Sequence, residues 1–274
     1  MLACYPFNGN TLDANGLYNV TVYGNPQLTQ DRFGVANKAY LFNGTTDYMA
    51  SAVNNNLKSN TWTVSAWVST SLITSWTDAT TYPIYRDIAY GLIMGPLVSS
   101  PTNPSYSNGW YFGGSQSTEG LMINKWVHLV GIYTPEYSKL FVNGKLINTS
   151  ILDTKDKYQS LNQIFIGANP NNKFSGKIDD IKIYRGVLTD SEATALYYSA
   201  SCDNPCLTVV VSQKNGLWND ASTWNCNRIP TQNDTVHIMK NHTVSIDGVD
   251  AKGKFVNIAG LLLYLNNGKI LLSN

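Results

Sequence analysis

Apolar and polar residues alternate along several stretches of this chain. In 61–69, Thr-Trp-Thr-Val-Ser-Ala-Trp-Val-Ser, one face carries Trp62, Val64, Ala66 and Val68 and the other Thr63, Ser65, Trp67 and Ser69. This is the period of a strand with one buried side, and Trp62 and Trp67 read as packing between sheets. Residues 125–133 predict a second strand, with His128 on the face of Trp126, Val130 and Ile132. A lone His among apolar neighbours reads as a satisfied core residue rather than a catalyst. Residues 139–148 predict a hairpin whose Asn143-Gly144 suits a type I′ turn. In 176–184, Ile181 and Ile183 point one way, Lys182 and Tyr184 the other. Strict alternation puts Asp179 with the isoleucines and Asp180 opposite, and a carboxylate on a buried face needs partners or a metal. Thr189 or Asp190 caps a short helix, with Glu192 near its first turn.

Elsewhere the strands are short. Residues 2–50 form apolar blocks that end at Asn-Gly or similar turns. Residues 70–120 break the rhythm with Pro83, Pro96, Pro101 and Pro104, leaving short strands at 90–94 and 109–113 among long loops. Those loops hold aromatic residues beside polar ones: Trp76, Tyr82, Tyr85, Arg86, Asp87, Tyr106, Trp110 and Tyr111. A sugar wants that combination, because its C–H face stacks on a ring while its hydroxyls bond polar groups. A further strand falls at 163–168. The character changes at Ser-Ala-Ser-Cys-Asp-Asn-Pro-Cys, so we expect one domain over 1–201 and a second segment over 202–274. Its last short strands are spaced like the rungs of a solenoid: Phe255–Ile258, Gly260–Leu265 and Gly268–Leu272.

Several of these stretches together resemble a known family. Gly176-x-Ile-Asp-Asp-Ile-x-Ile-Tyr184, then Leu188-Thr-x-x-Glu192, is similar to the closing strand and helix of laminin-G-like, concanavalin-type jelly rolls of bacteria. Tyr5-x-Phe-Asn-Gly9 and Ala39-x-x-Phe-Asn-Gly-x-x-x-Tyr48 resemble the opening of that family. Trp126-x-His-x-Val130 before the 139–148 hairpin resembles its middle. From Gly216, Gly-x-Trp-x-x-x-x-Thr-Trp224 and Pro230-Thr-x-x-Asp-x-Val-x-Ile-x-x-x-His-x-Val244 resemble a module of secreted bacterial surface proteins that opens a right-handed parallel β-helix. The resemblance implies an all-β fold: a concanavalin-like jelly-roll β-sandwich followed by a small C-terminal β-solenoid-like module. It also implies a structural Ca²⁺ held by Asp179, with partners near Asn8 and Gly44. Alternatively, Asp179 accepts backbone N–H bonds with no metal. Asp13 is a weaker metal candidate and reads more simply as a turn residue.

Composition narrows the function. Of 274 residues 43% are hydrophobic and 14% charged, and the net charge is +1. With neither a basic stripe nor an apolar run of membrane length, nucleic acid and a membrane span are both set aside. The chain shows no leader, and we take it to be cut from a longer one. Cys4, Cys202, Cys206 and Cys226 allow three full pairings. Their clustering at the domain junction suits a disulfide clasp in an exported protein; free thiols or, without a Cys-x-x-Cys pair, a zinc site are the alternatives. Glycosidases of this fold need paired carboxylates, yet Glu occurs only at 119, 136 and 192 and no Glu-x-Asp-x-Glu run exists. The reading is therefore a non-catalytic secreted or cell-surface bacterial module that binds glycan or a matrix component. The rivals are a structural spacer and the targeting domain of a larger carbohydrate-active enzyme.

Overall fold

A computed structural model describes residues 1–71, 84–85, 95–97, 109–112, 115–117, 123–152, 162–168, 173–199, 209–224 and 227–272. The chain divides into two compact units, Met1–Leu188 and Thr189–Asn274.

The first unit is built on an eight-stranded antiparallel sheet. Its strands are β1 (Ala3–Tyr5), β3 (Gln27–Thr29), β4 (Ala39–Asn43), β6 (Trp62–Thr70), β11 (Val127–Tyr133), β12 (Tyr137–Val142), β13 (Lys145–Ile151) and β15 (Ser175–Arg185). They run in the order β13-β12-β11-β6-β15-β4-β3, with β1 also paired to β15. The second sheet has the order β2-β5-β14-β7, from β2 (Val20–Tyr23), β5 (Tyr48–Ser51), β7 (Ile84–Tyr85) and β14 (Phe165–Ile166). A third, β10-β9-β8, comes from β8 (Gly95–Leu97), β9 (Gly109–Phe112) and β10 (Ser115–Gln116).

Alternation explains the layering. Trp62, Val64, Ala66 and Val68 on β6 turn inward with Leu129, Ile178, Ile181 and Ile183, and meet Met49, Ile166, Trp110 and Phe112 from the other sheets in one core. The β12–β13 turn matches its sequence: Asn143 and Gly144 have φ of 48° and 78°, the left-handed pair that a type I′ turn demands.

The second unit opens with helix α1 (Asp190–Tyr198). Thr189 caps it, and Glu192 returns a bond to the cap, giving a complete capping box. Three short parallel sheets follow. The first joins β16 (Val209–Val211), β18 (Thr235–Ile238) and β21 (Phe255–Ile258); the second, β17 (Gly216–Leu217), β19 (Thr243–Asp247) and β22 (Leu261–Leu265); the third, β20 (Asp250–Gly253) and β23 (Lys269–Leu272). Their inward residues, among them Val236, Val244 and Ile246, close over Trp218 and Trp224, which meet edge to face at 5.1 Å.

Candidate functional site

The β15 strand does not alternate strictly. Asp179 pairs with Trp67 and Lys182 with Ser65, so two β15 residues stand against the single Ala66. Asp180 takes up the extra length at φ 47°. This bulge reverses the side-chain alternation halfway along the strand. Ile178, Ile181 and Ile183 all reach the core, while Asp179 lies on the outer face of the sheet. The sequence reading of Asp179 with the isoleucines, opposite Asp180, is thereby corrected.

The outer face around the bulge is polar and sealed. Asp179 and Asp180 are 2% and 4% exposed. Arg32 reaches both, with its Nη1 at 2.6 Å from Asp180 Oδ2 and 3.4 Å from Asp179 Oδ2. Its guanidinium lies 4.6 Å over the Trp67 ring and 4.5 Å over Phe33. Trp67 thus sits on the outer face beneath a cation, not between sheets. In the next strand His128, also buried, brings Nε2 to 2.8 Å from Ser65 Oγ. Burial pushes the Asp179 carboxyl up to about 8, with Asp180 adding to the shift and Arg32 opposing it. Burial also lowers Lys182 to about 8 against the pull of Asp180. It holds His128 well below its ordinary value, helped by Lys182 and Arg32. His128 is thus buried on this polar outer face opposite Trp67, not in the apolar core that its sequence neighbours suggested.

The calcium set does not fit this geometry. Gly44 follows Asn43, which pairs with Ser175, and Asp179 lies four residues further along β15. At ~3.3 Å per residue that is roughly 13 Å, whereas ligands of one Ca²⁺ stand about 5 Å apart at most. The carboxylate is besides already held by Arg32, and Asn8 is partly exposed beyond the end of β1. Asp13 is also spent: its oxygens take the backbone N–H groups of Cys4, Asn15, Leu17 and Tyr18.

At the rim of the sandwich the polar groups behave differently. A pocket of about 490 Å³ opens where the β2–β3 loop, the β4–β5 turn and the start of β15 meet, lined by Asn25, Gln27, Leu41, Asn43, Ser71 and Ser175. Asp47 holds its walls. This carboxylate, 2% exposed, accepts the Asn25 N–H at 2.8 Å, the Asn43 N–H at 3.1 Å and the Thr46 hydroxyl at 3.2 Å. Gly24 permits the approach, since at φ 74° a Cβ would stand 2.5 Å from Asp47 Oδ1. The Asn43 side-chain oxygen is consumed in its own turn by the N–H groups of Thr45, Thr46 and Asp47. In contrast, the Asn25 amide and the Ser71 and Ser175 hydroxyls have no hydrogen-bond partner among the described residues. Leu41, 36% exposed, supplies an apolar floor. Beside the pocket, Tyr23 and Tyr48 stack at 4.5 Å and 4°.

Few of the binding residues proposed from sequence fall among the described residues. Trp76, Tyr82, Arg86, Asp87 and Tyr106 lie outside the described residues, as do Cys202, Cys206 and Cys226. Tyr85 sits in β7 opposite Phe165, and Tyr111 in β9 opposite Gly95. Trp110 is corrected: it is 2% exposed and belongs to the core, because its strand turns it between the sheets. Cys4 is buried, and no free cysteine occurs among the described residues. Sequence reasoning missed Arg32 and the rim pocket. Arg32 could have been shortlisted, since adjacent aspartates in a strand need a counter-charge and the chain has only four arginines, at 32, 86, 185 and 228. The pocket had no comparable signal.

Comparison with known proteins agrees with the architecture. No curated protein matches the chain in sequence. Among solved structures, domain 4 of AbnA, an extracellular arabinanase from Geobacillus stearothermophilus in complex with arabinotriose, is similar at a TM-score of 0.54 and 20% identity. That match covers 72% of this chain and 97% of that one. The ligand-binding domain of botulinum neurotoxin serotype D, in complex with N-acetylneuraminic acid, is similar at a TM-score of 0.51 and 18% identity, over 72% of this chain and 50% of that one. At these identities the likeness concerns the fold. A family model for the concanavalin A-like lectin/glucanases superfamily, of laminin-G type, matches residues 43–194. That is more than half of the chain, and the chain belongs to this superfamily.

Proposed function

We propose that the chain is a non-catalytic carbohydrate-binding module of an exported protein, and that its sugar site is the rim pocket. The observation that carries this reading is the set of unfilled amide and hydroxyl groups of Asn25, Ser71 and Ser175 around the exposed Leu41. Sugar hydroxyls donate and accept, and sugar C–H faces want apolar contact. The similarity to a domain solved with arabinotriose supports the same direction. Glycoside hydrolysis asks for two carboxyl groups ~5–10 Å apart facing the bond to be broken. The adjacent pair Asp179–Asp180 is buried on Arg32 instead, and Asp47 is spent on loop amides.

The second unit, with its three short parallel sheets, reads as the first rungs of a β-helix. The buried Cys4 fits a disulfide clasp of an exported chain. Immobilised-glycan screening followed by calorimetry tests the proposal. Saturable binding of an oligosaccharide without release of reducing ends supports it. No binding across plant, bacterial and animal glycans would favour the spacer, and reducing-end release would make the module an enzyme.

A further inference from the structure

We infer, resting on the carbohydrate-binding reading above, that the rim pocket takes an acidic sugar, and that Lys177 supplies the positive charge against its carboxylate or sulfate ester. The strand register places this lysine. Gln27 pairs with Leu41 across β3 and β4, and Leu41 pairs with Lys177 across β4 and β15. Asn43 and Ser175 form the next pair of the same face, two positions along those strands. Ile178 turns into the core, so Lys177 stands with Ser175 and Leu41 on the outer face of the sheet. Its Cα lies ~7 Å from that of Ser175, a gap that the flexible four-carbon stem of a lysine spans.

The lysine is uncommitted. It is half-buried between the exposed Leu41 and the buried Ser69, and no hydrogen bond or ion pair engages it among the described residues. Asp179, two positions further along β15, faces Arg32 instead. Asp47 directs its oxygens into the pocket wall, at the Asn25 and Asn43 N–H groups and the Thr46 hydroxyl. A half-buried ammonium has given up part of its water without gaining a carboxylate, so it attracts an anion more strongly than a fully solvated one does. Beside it the pocket keeps the groups that sugar hydroxyls need. The Asn25 amide and the Ser71 and Ser175 hydroxyls each donate and accept. Gln27 uses its Nε2 on the Asn25 carbonyl at 2.9 Å, which leaves its Oε1 as an acceptor. Leu41 meets the ring's C–H face. A lysine is a point charge without the fork of a guanidinium, so it serves a carboxylate and a sulfate ester alike.

The test is calorimetric titration of the full chain, in EDTA, with two matched pairs of probes: a galacturonate trimer and its methyl ester, and a sulfated trisaccharide and its unsulfated parent. Within each pair the rings are the same and only the charge differs. Two variants accompany the wild type: Lys177→Met, which keeps an apolar stem, and Asn25→Ala. The expected result is that a charged probe binds about tenfold or more tighter than its neutral counterpart, an advantage that shrinks as salt rises. The galacturonate pair reads a carboxylate and the sulfated pair a sulfate ester. In Lys177→Met the advantage disappears, the neutral probe binds as it does to the wild type, and the unfolding midpoint is unchanged. Asn25→Ala should weaken charged and neutral probes alike by about tenfold. Equal binding of charged and neutral probes by the wild type, a comparison that needs no variant, would overturn the inference while leaving carbohydrate binding intact. A charge preference that Lys177→Met retains would place charge recognition elsewhere and also sink it, as would acidic-sugar binding that folded Asn25→Ala leaves unchanged. Failure of every sugar to bind, these and those of the glycan screen, would remove the carbohydrate reading itself, and this inference with it.

Discussion

The bulge of β15 and the rim pocket lie on the same large sheet and use polar side chains in opposite ways. At the bulge, two carboxyl groups, a guanidinium and an amine are buried together and face one another. At the rim, the Asp47 carboxylate is spent on the Asn25 and Asn43 amides and the Thr46 hydroxyl, and the side chains of Asn25, Ser71 and Ser175 are unfilled among the described residues. The ionic groups of the bulge therefore act as structure, and the amides and hydroxyls of the rim are left for a ligand. This follows from cost: a buried charge must be paired, whereas an exposed hydroxyl or amide exchanges water for a ligand at little expense.

The contrast breaks most sharply at Arg32. Arg32→Ala removes the guanidinium that pairs with the buried Asp180 at 2.6 Å, and we expect a loss of about 3–5 kcal/mol in denaturant unfolding. Sugar affinity per folded molecule should stay the same. Next comes Gly24→Ala, which places a Cβ at φ 74° within 2.5 Å of Asp47 Oδ1. Strain of that kind costs roughly 1–3 kcal/mol. Because Asp47 can then no longer hold the Asn25 and Asn43 loops, sugar binding should fall together with the thermal midpoint.

The acid–base behaviour of the bulge sharpens the comparison further. Asp179 is raised from its ordinary 3.8 to about 8, so the folded state binds its proton more tightly. Its share of stability is full below the ordinary value and is lost as pH rises through about 8. Lys182 is lowered from 10.5 to about 8. Its share is full above 10.5 and is lost as pH falls through about 8. These two groups together make the protein least stable near pH 8. Asp179→Asn should flatten the acidic limb of a stability–pH curve and keep the alkaline one. The smallest effect is expected from Ser175→Ala: no measurable change in the unfolding midpoint, since its hydroxyl has no internal partner, with weakened sugar binding.

These particulars show what the sequence could reveal. The sheet was readable where local chemistry decides: the alternation of 61–69, the Asn143-Gly144 turn and the Thr189/Glu192 cap all appear as written. The bulge was not, because period-2 reasoning assumes an unbroken strand and Asp180 at φ 47° shifts the count by one. Nor was Arg32, 147 residues from Asp179 in sequence. The aromatic loops drew attention because sugars stack on rings, yet Trp110 is a core residue. The rim pocket joins Asn25, Asn43, Ser71 and Ser175 from four separate segments of ordinary turn residues. Only the folded chain brings them together.

The most direct test is amide chemical-shift mapping during titration with an oligosaccharide, performed in EDTA. The account predicts that the perturbed amides gather at Asn25, Asn43, Thr46, Ser71 and Ser175, while Asp179, Asp180 and Lys182 stay in place. Perturbations centred on the β15 bulge, or on the second unit, with the rim amides unmoved would contradict it.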